Sequence, residues 1–278
     1  MSQRTIIRRH RTNKVRTIED WVACEEPLEI RIEGRSIAVL MRQPNIAEDL
    51  QLVTGFLLTE GVIEDADDIR AIKHIVDPTE ANSNHNTVDV ILSSGVPAKR
   101  RHSADRTLFA SSSCGICGKA TQDRIWQHFP PLPKRVGLPE FEWICKTPDI
   151  MRQTQASFRQ TGGTHAAALF DIGGQIRVLK EDVGRHNAVD KVIGWAIQQD
   201  LVGSELALLV SGRVAFEIAQ KALAFRIPLI MAIGAPSSLA VQLCEGSNVE
   251  LLGFIKENGY NQYRNTTLPQ ESACGIKN

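Results

Sequence analysis

Two cysteines three residues apart, Cys114 and Cys117, are the side chains of this sequence best suited to covalent chemistry. They lie in the stretch SSSCGICG, and the spacing of the residues that follow it predicts a helix. A thiol near a helix N-terminus has a lowered pKa, because unpaired N–H groups and the helix dipole stabilise an anion. A second thiol nearby can resolve or share a sulfur adduct by exchange. The pair therefore favours thiolate or persulfide chemistry.

Three other chemistries use the same C-x-x-C spacing and stay open on the residues alone. A structural zinc site needs further ligands, which Cys145, His128 and His102 could supply only at irregular spacing. A thioredoxin-like redox site follows a strand, whereas this pair follows a basic, serine-rich stretch. A zinc deaminase has His-x-Glu before P-C-x-x-C, whereas here His165 comes after the cysteines and the glutamate is missing.

A dense polar run, EDVGRHNAVDK, begins at Glu181 between a strand pattern and a helical pattern. Ligands of open α/β sheets bind at such strand-to-helix junctions. Arg185 and His186 could hold phosphate at the helix start, and Glu181 and Asp182 could accept hydrogen bonds from a base or ribose. The competing interpretation is structural, with Asn187 capping the helix and with i, i+4 pairs such as Asp182 with His186. The density of polar groups beside a glycine favours a binding site.

Two glycine-bearing turns, Ser211-Gly-Arg213 and Gly234-Ala-Pro-Ser-Ser238, follow apolar strand patterns further along the chain. Glycine and hydroxyl groups at a helix N-terminus can cradle phosphate. N-capping by Ser237 or Ser238 explains the serines equally well. His165 follows two glycines, but a histidine that leads an apolar strand is more often a core residue.

The elements that must position these residues are most regular in the C-terminal half. Short apolar strands alternate there with helices, which predicts a layered α/β domain with a parallel sheet covered on both faces. The predicted strands are His165–Phe170, Gln175–Leu179, Glu205–Val210, Pro228–Ile233 and Val249–Ile255, and the predicted helices are His186–Gln198, Val214–Phe225 and one that ends at Glu245.

The N-terminal half predicts a smaller α+β unit. The run from Glu29 to Leu40 alternates around Gly34 as the two strands of a hairpin do, and Thr87 to Leu92 is another alternating strand. The run from Ile46 to Glu60 has the apolar periodicity of a helix, and Gly61 follows it at a C-cap position.

These patterns divide the chain into five parts. They are a basic flexible tail (1–20), an N-terminal α+β domain (21–105), a loop region that carries the C-x-x-C motif (106–140), an α/β domain (141–265) and a C-terminal tail (266–278). The first sixteen residues are basic and contain no acid. A basic arm for an acidic partner is one interpretation of them. A solvated tail is favoured, because the segment has little apolar content to bury.

The overall composition excludes several partner classes. Lysine plus arginine equal aspartate plus glutamate at 32 each, so no net charge attracts nucleic acid or a membrane surface. No stretch reaches the ~20 apolar residues of a membrane helix, and the N-terminus lacks the apolar core of a signal peptide. We therefore expect a cytoplasmic protein whose six cysteines stay reduced.

The motifs, taken in order, resemble those of the FdhD/NarQ family of formate dehydrogenase accessory proteins. The stretches that carry the resemblance are EEPLEIRIEG (25–34), GFLLTEG (55–61), SSSCGICG (111–118), GGTHAAA (162–168), EDVGRHNAVDK (181–191), SGRVAFEIAQKA (211–222) and LLGFIKENGYNQY (251–263). The α/β half of that family is similar to the cytidine deaminase fold, and its members are homodimers that hold no metal.

This resemblance implies a sulfurtransferase that acts as a sulfur carrier. A cysteine desulfurase would donate persulfide sulfur to Cys114, with Cys117 assisting. The sulfur would pass to Mo-bis(molybdopterin guanine dinucleotide), the cofactor that formate dehydrogenase requires. This cofactor is a bound substrate, and GDP is its partial mimic. The family's cofactor-binding segment matches Phe254, Ile255, Lys256, Glu257, Asn258 and Gly259. The alternative function is a zinc-stabilised, non-catalytic chaperone module for a molybdoenzyme.

Overall fold

The structure, a computed structural model, describes residues 1–12, 14–75, 85–97, 100, 129–134 and 137–264. Cys114, Cys117 and the helix predicted after them lie outside these residues. The strands are β1 (Ser2–Arg11), β2 (Lys14–Ala23), β3 (Glu26–Ile32), β4 (Arg35–Arg42), β5 (Ile69–His74), β6 (Thr87–Leu92), β7 (His165–Asp171), β8 (Ile176–Asp182), β9 (Leu206–Val210), β10 (Leu229–Ala232), β11 (Glu250–Lys256) and β12 (Gly259–Tyr263). The helices are α1 (Ile46–Thr59), α2 (Phe141–Thr154), α3 (Ala156–Thr161), α4 (Arg185–Gln198), α5 (Phe216–Ala224) and α6 (Ser238–Gly246).

A six-stranded sheet in the order β12-β11-β10-β9-β7-β8 forms the centre of the C-terminal half. Strands β9, β10 and β11 are parallel, as predicted. The flanking strands β7, β8 and β12 are antiparallel to their neighbours, so the sheet is mixed. The reason is local, because β7–β8 and β11–β12 are joined by short turns that reverse the chain. The predicted α/β class is confirmed.

Alternate residues of this sheet enter two different cores. Leu208 and Ile230 face the helical layer that contains α4, α5 and α6. Leu209 and Met231, their neighbours along the strands, face Ile144 of α2 on the opposite side. Because both faces are covered, the parallel strands are continuously apolar.

The four-stranded sheet, in the order β4-β3-β6-β5, covers the outer side of α1. The hairpin of β3 and β4 turns at Gly34, which has a positive φ of 81°, as the sequence predicts. The other side of α1 packs against α4, and one hydrophobic core runs through both halves of the chain. The division of the chain at residue 105 stays a prediction.

Residues 1–12 and 14–20 do not form the flexible, solvated tail that the sequence favoured for positions 1–20. Strands β1 and β2 pair in antiparallel register from Ser2 opposite Ala23 to Arg11 opposite Lys14. Low apolar content suggested a tail, but both segments contain β-branched residues, and a continuous ladder of paired positions joins them into a hairpin. We call residues 2–23 the N-terminal ribbon. No helix within the described residues is long and apolar enough to span a membrane.

Candidate functional site

The carboxyl ends of the parallel strands β9 and β10 lie beside the start of β7 and the end of β8 at one edge of the six-stranded sheet. The turn after β9 contains Gly212, and the turn after β10 contains Gly234. His165 starts the antiparallel strand β7 beside the end of β9, and its ring lies 3.4 Å from the position of a Cβ on Gly212. Strand β8 ends next to His165, because Asp182 pairs with it. These segments form the candidate site, at the place where open α/β sheets bind ligands.

Two glycines let the backbones of this edge approach one another. The N–H of Gly234 donates to the carbonyl of Gly212 at 3.2 Å, and the N–H of Phe254 donates to the carbonyl of Gly234 at 3.2 Å. A Cβ on Gly234 would lie 2.7 Å from the Gly212 carbonyl oxygen, which real side chains do not tolerate. Glycine is therefore required at position 234, because a side chain there would push the two turns apart.

Phe254, whose N–H bonds to the carbonyl of Gly234, has a strained backbone. Its φ is +54°, a value that costs energy for an aromatic residue, and the ladder between β11 and β12 shifts register between Gly253 and Lys256. Its side chain is 47% exposed although it follows a buried stretch of strand. The bulge therefore turns an aromatic side chain towards solvent beside the candidate site.

The N-terminus of α4 supplies polar groups to the same edge. Arg185 and His186 are its first two residues, and the preceding Gly184 offers no side chain to cap the free N–H groups. Arg185 Nε and His186 Nε2 are buried, and neither atom has a hydrogen-bond partner among the residues that the structure describes. Buried donors and acceptors are nearly always satisfied, so two orphans at a helix N-terminus point to a ligand.

The electrostatics of this edge keep both imidazoles neutral near pH 7. Burial, followed by the positive charges of Arg185 and Lys221, lowers the pKa of His186 to about 4. Burial and Arg185 likewise lower the pKa of His165. Of the two adjacent residues predicted to hold phosphate, only Arg185 brings a positive charge. His186 contributes a neutral donor or acceptor.

The acidic members of the polar run are structural and do not meet a ligand. Asp182 is buried 2.7 Å from Lys191, and it also accepts hydrogen bonds from Gly184 N–H and the Asn187 amide. Glu181 accepts from the first N–H groups of α3 and from the hydroxyl of Thr164. Both carboxylates are therefore engaged within the fold, which disfavours the prediction that they accept from a base or ribose. The structural pairs are Asp182 with Lys191 and with Asn187, and no hydrogen bond joins Asp182 to His186.

A buried ion pair lies behind His186. Lys221 Nζ of α5 is 2.9 Å from Asp190 Oδ2 of α4, and Thr59 of α1 hydrogen-bonds to both side chains. Burial raises the pKa of Asp190 to about 6, against the pull of Lys221. Burial alone lowers the pKa of Lys221, but the carboxylates of Asp190 and Glu60 raise it overall. No local sequence pattern indicates this pair, because its members are 31 residues apart.

The segment predicted to bind the cofactor runs from Phe254 to Gly259, and only its first residue lies at the candidate site. Ile255 is 2% exposed and belongs to the core on the α2 side, so its side chain cannot contact a ligand. Lys256 pairs with Gly259 where β11 turns into β12, and Glu257 and Asn258 form the exposed turn. Within this segment, Phe254 therefore lies beside the turns that contain Gly212 and Gly234.

Hydroxyl groups near the glycine turns have structural partners. The Ser237 side chain caps α6 by accepting from Ala240 N–H, and Ser211 Oγ accepts from Ala166 N–H. The capping interpretation of Ser237 is confirmed. His165, by contrast, is half-buried at the rim of the site, so the expectation of a core residue is wrong. The two glycines before it were the signal that could have identified it.

Metal ligands do not cluster within the described residues. No group of three or more His, Cys, Asp or Glu side chains there could hold a metal ion. His165 is surrounded by backbone of the glycine turns and by Arg185, which disfavours a cation. The residues around His165 therefore do not suit the zinc of a deaminase.

A model of the FdhD/NarQ family matches residues 23–268, which is most of the chain. This chain belongs to the FdhD/NarQ family. Proteins named sulfur carrier protein FdhD are similar over nearly their whole length: the one from Mycobacterium tuberculosis is 42% identical over 92% of this chain and 94% of its own. That of Streptomyces avermitilis is 42% identical over 95% and 94%, and that of Nocardia farcinica 41% identical over 99% and 97%.

A solved structure has the same fold. The crystal structure of a protein from Desulfotalea psychrophila, assigned as a formate dehydrogenase accessory protein, superposes with a TM-score of 0.72. The two sequences are 25% identical, and the match covers 97% of this chain and 98% of that one. The family resemblance found in the motifs is therefore confirmed, and the FdhD/NarQ match includes both cysteines of the C-x-x-C motif.

Proposed function

We propose that this chain is a sulfurtransferase that carries persulfide sulfur on Cys114, assisted by Cys117, from a cysteine desulfurase to Mo-bis(molybdopterin guanine dinucleotide) for formate dehydrogenase. The observation that carries the proposal is the C-x-x-C motif within a family match whose relatives, at 42% identity, are named sulfur carrier proteins. The protein acts in the cytoplasm as a homodimer.

The sulfur transfer balances without an external oxidant. The Cys114 thiolate attacks the terminal sulfur of the desulfurase persulfide, a new S–S bond forms, and the desulfurase cysteine leaves as a thiolate. Delivery takes one of two balanced routes. In the first, a nucleophilic acceptor attacks the terminal, formally zero-valent sulfur, and Cys114 leaves as a thiolate. In the second, the Cys117 thiolate attacks the sulfur of Cys114, sulfide leaves for the acceptor, and the Cys114–Cys117 disulfide that forms is reduced by a cellular dithiol before the next cycle. Two thiols three residues apart serve both routes.

The guanine nucleotide end of the cofactor occupies the candidate site. Arg185 supplies the positive charge for a phosphate, and the free N–H groups at the start of α4 add backbone donors. Gly212 and Gly234 let the turns after β9 and β10 lie side by side at the rim of this site. The exposed ring of Phe254 offers a face on which a base can stack.

Incubation with a cysteine desulfurase and cysteine is expected to add one reductant-labile sulfur atom to the C-x-x-C peptide. Cys114→Ser should abolish this addition, and formate dehydrogenase activity in cells lacking the native chain should not be restored by that variant. The measurement is intact and peptide mass spectrometry, with activity assays of the complemented cells. Cys145→Ser is the matched control, because that free thiol is buried in the core and lies outside the motif.

Sulfur found on Cys145 or Cys24 in place of the motif, or full complementation by Cys114→Ser, would contradict the proposed role. Stoichiometric zinc whose removal by a chelator unfolds the protein would support the chaperone module instead.

GDP is expected to bind to the wild-type chain, and Arg185→Gln should weaken that binding by about 10- to 100-fold. The estimate follows from a charge-assisted contact of roughly 1.5–3 kcal/mol, at about 1.4 kcal/mol per tenfold change. Arg226→Gln is the control, because Arg226 is an exposed cation between α5 and β10, at the opposite edge of the sheet. Titration calorimetry measures all three dissociation constants. Equal losses in the two variants would exclude a specific contact by Arg185.

A further inference from the structure

The N-terminal ribbon projects from the molecule at its turn. Its two strands are ten residues long and pair only with each other. The base of the ribbon is held by α3, where Ser2 donates to Gln160. Every described residue from 8 to 17, by contrast, is exposed. A two-stranded ribbon without support is at best marginally stable in water, so its outer half gains little from the rest of the fold.

One face of the outer half places four cations side by side. Arg9 lies directly opposite Arg16, and Arg11 lies directly opposite Lys14. Like charges in directly opposed positions destabilise a β-ladder. Asp20 compensates only Arg9, through an exposed ion pair of 3.1 Å. This face therefore lowers the stability of the ribbon and suits an acidic surface outside it.

The other face of the ribbon carries exposed apolar side chains next to Arg8. Ile6 is 75% exposed and Val15 is 59% exposed, and both point away from the four cations, because side chains alternate along a strand. Nearer the base, Trp21 is 37% exposed under the guanidinium of Arg4. The ribbon thus presents cations on both faces, with exposed hydrophobic side chains beside them.

The base of the ribbon adjoins the segments that build the candidate site. The Gln43 side chain donates to the carbonyl of Met1 at 2.7 Å, and the Gln43 N–H donates to Asp182, whose strand leads into Arg185. Ala23 at the end of β2 lies against Gly163, with its Cβ 3.4 Å from the position of a Cβ on that glycine. A protein held by the ribbon therefore lies beside the rim of the candidate site.

We infer that the N-terminal ribbon is a docking arm that grips an acidic surface of the formate dehydrogenase to which the cofactor is delivered. The inference rests on the proposed function, because it assigns the arm to the protein that receives the contents of the adjacent site. One observation favours a protein partner over a nucleic acid: the exposed apolar side chains of Ile6 and Val15 lie beside the cations of the ribbon. Arm-to-arm contact with a second copy is disfavoured, because it opposes two cationic faces.

The test compares two triple variants of the full-length chain with the same change in charge. The arm variant is Arg11→Gln/Lys14→Gln/Arg16→Gln. The control variant is Lys146→Gln/Arg152→Gln/Arg226→Gln, which neutralises three exposed cations elsewhere. The probe is purified formate dehydrogenase from cells of the same organism that lack this chain, and binding is measured by biolayer interferometry at low and high ionic strength.

The arm variant is expected to bind the dehydrogenase at least about tenfold more weakly at low ionic strength, and the difference should shrink in high salt. The control variant should stay within about twofold of wild type, because isolated surface charges contribute little. Loss of the ribbon structure is not the cause, since removal of opposed like charges stabilises the ladder. GDP binding and persulfide loading should be unchanged in both variants.

Equal dehydrogenase affinities of the arm and control variants would overturn the inference. So would an arm variant that loses self-association, or binding to duplex DNA, while it keeps its affinity for the dehydrogenase. Absence of dehydrogenase binding by the wild-type chain, with GDP binding and persulfide loading intact, overturns the docking arm alone. Failure of both ligand assays instead refutes the proposed function.

Discussion

Gly194→Ala is expected to destabilise the protein by about 3 kcal/mol or more, at the upper end of the range for overpacked sites. The new Cβ would lie 1.9 Å from the carbonyl oxygen of Gln51 and 2.8 Å from the amide nitrogen of Gly55. Both contacts are with backbone, which no rotamer change can move. Helices α1 and α4 would have to separate, and their shared core would lose packing.

Urea unfolding followed by circular dichroism gives the free energy of unfolding for this comparison. Gly55→Ala is the reciprocal variant, because its Cβ would meet the Asp190 carbonyl at 1.9 Å, and it should cause a similar loss. Gly95→Ala is the control, since no atom lies within 4 Å of a Cβ there. A loss below about 1 kcal/mol for both Gly194→Ala and Gly55→Ala would show that the two helices can move apart at little cost. Because α4 carries Arg185 and His186, the same variants should also weaken GDP binding.

Lys221→Met is expected to reduce the free energy of unfolding by ~3–5 kcal/mol at pH 8, because it leaves the Asp190 carboxylate buried without a cation. The reduction should be smaller at pH 5. Burial already raises the pKa of Asp190 to about 6, and removal of Lys221 raises it further. A carboxyl whose pKa is raised on folding contributes stability at low pH and loses it as the pH rises through the folded-state value. The free energy of unfolding of Lys221→Met therefore falls furthest below that of wild type at alkaline pH.

Denaturant unfolding at pH 5 and pH 8 measures both differences. Lys221→Met/Asp190→Asn is the matched variant, since asparagine does not titrate and its cost should be the same at both pH values. An equal loss for Lys221→Met at pH 5 and pH 8 would mean that Asp190 is not the group left uncompensated. GDP affinity should change little when Lys221 is replaced, because Lys221 contacts Asp190, Thr59 and Glu60 behind the site.

Local sequence patterns were sufficient for most strands and helices. The apolar periodicity of α1, the hairpin turn at Gly34 and the continuous apolar strand β9 were each predicted close to their observed bounds. These features depend on near neighbours in the chain: helical spacing, a positive φ, and burial on both sides of a strand. The prediction failed for residues 1–20, because composition measures what a segment can bury and not the ladder that two strands form with each other.

By itself, the sequence determined the family, through an ordered set of motifs that one chain alone reveals, and it indicated the C-x-x-C pair as the candidate residues for the proposed sulfur chemistry. Only the tertiary structure separated the members of the EDVGRHNAVDK run. Asp182, Asn187 and Lys191 satisfy one another, while Arg185 Nε and His186 Nε2 remain unsatisfied among the described residues. The physical reason is that polar side chains are alike in sequence, and their role depends on which partners the folded chain brings within hydrogen-bonding distance.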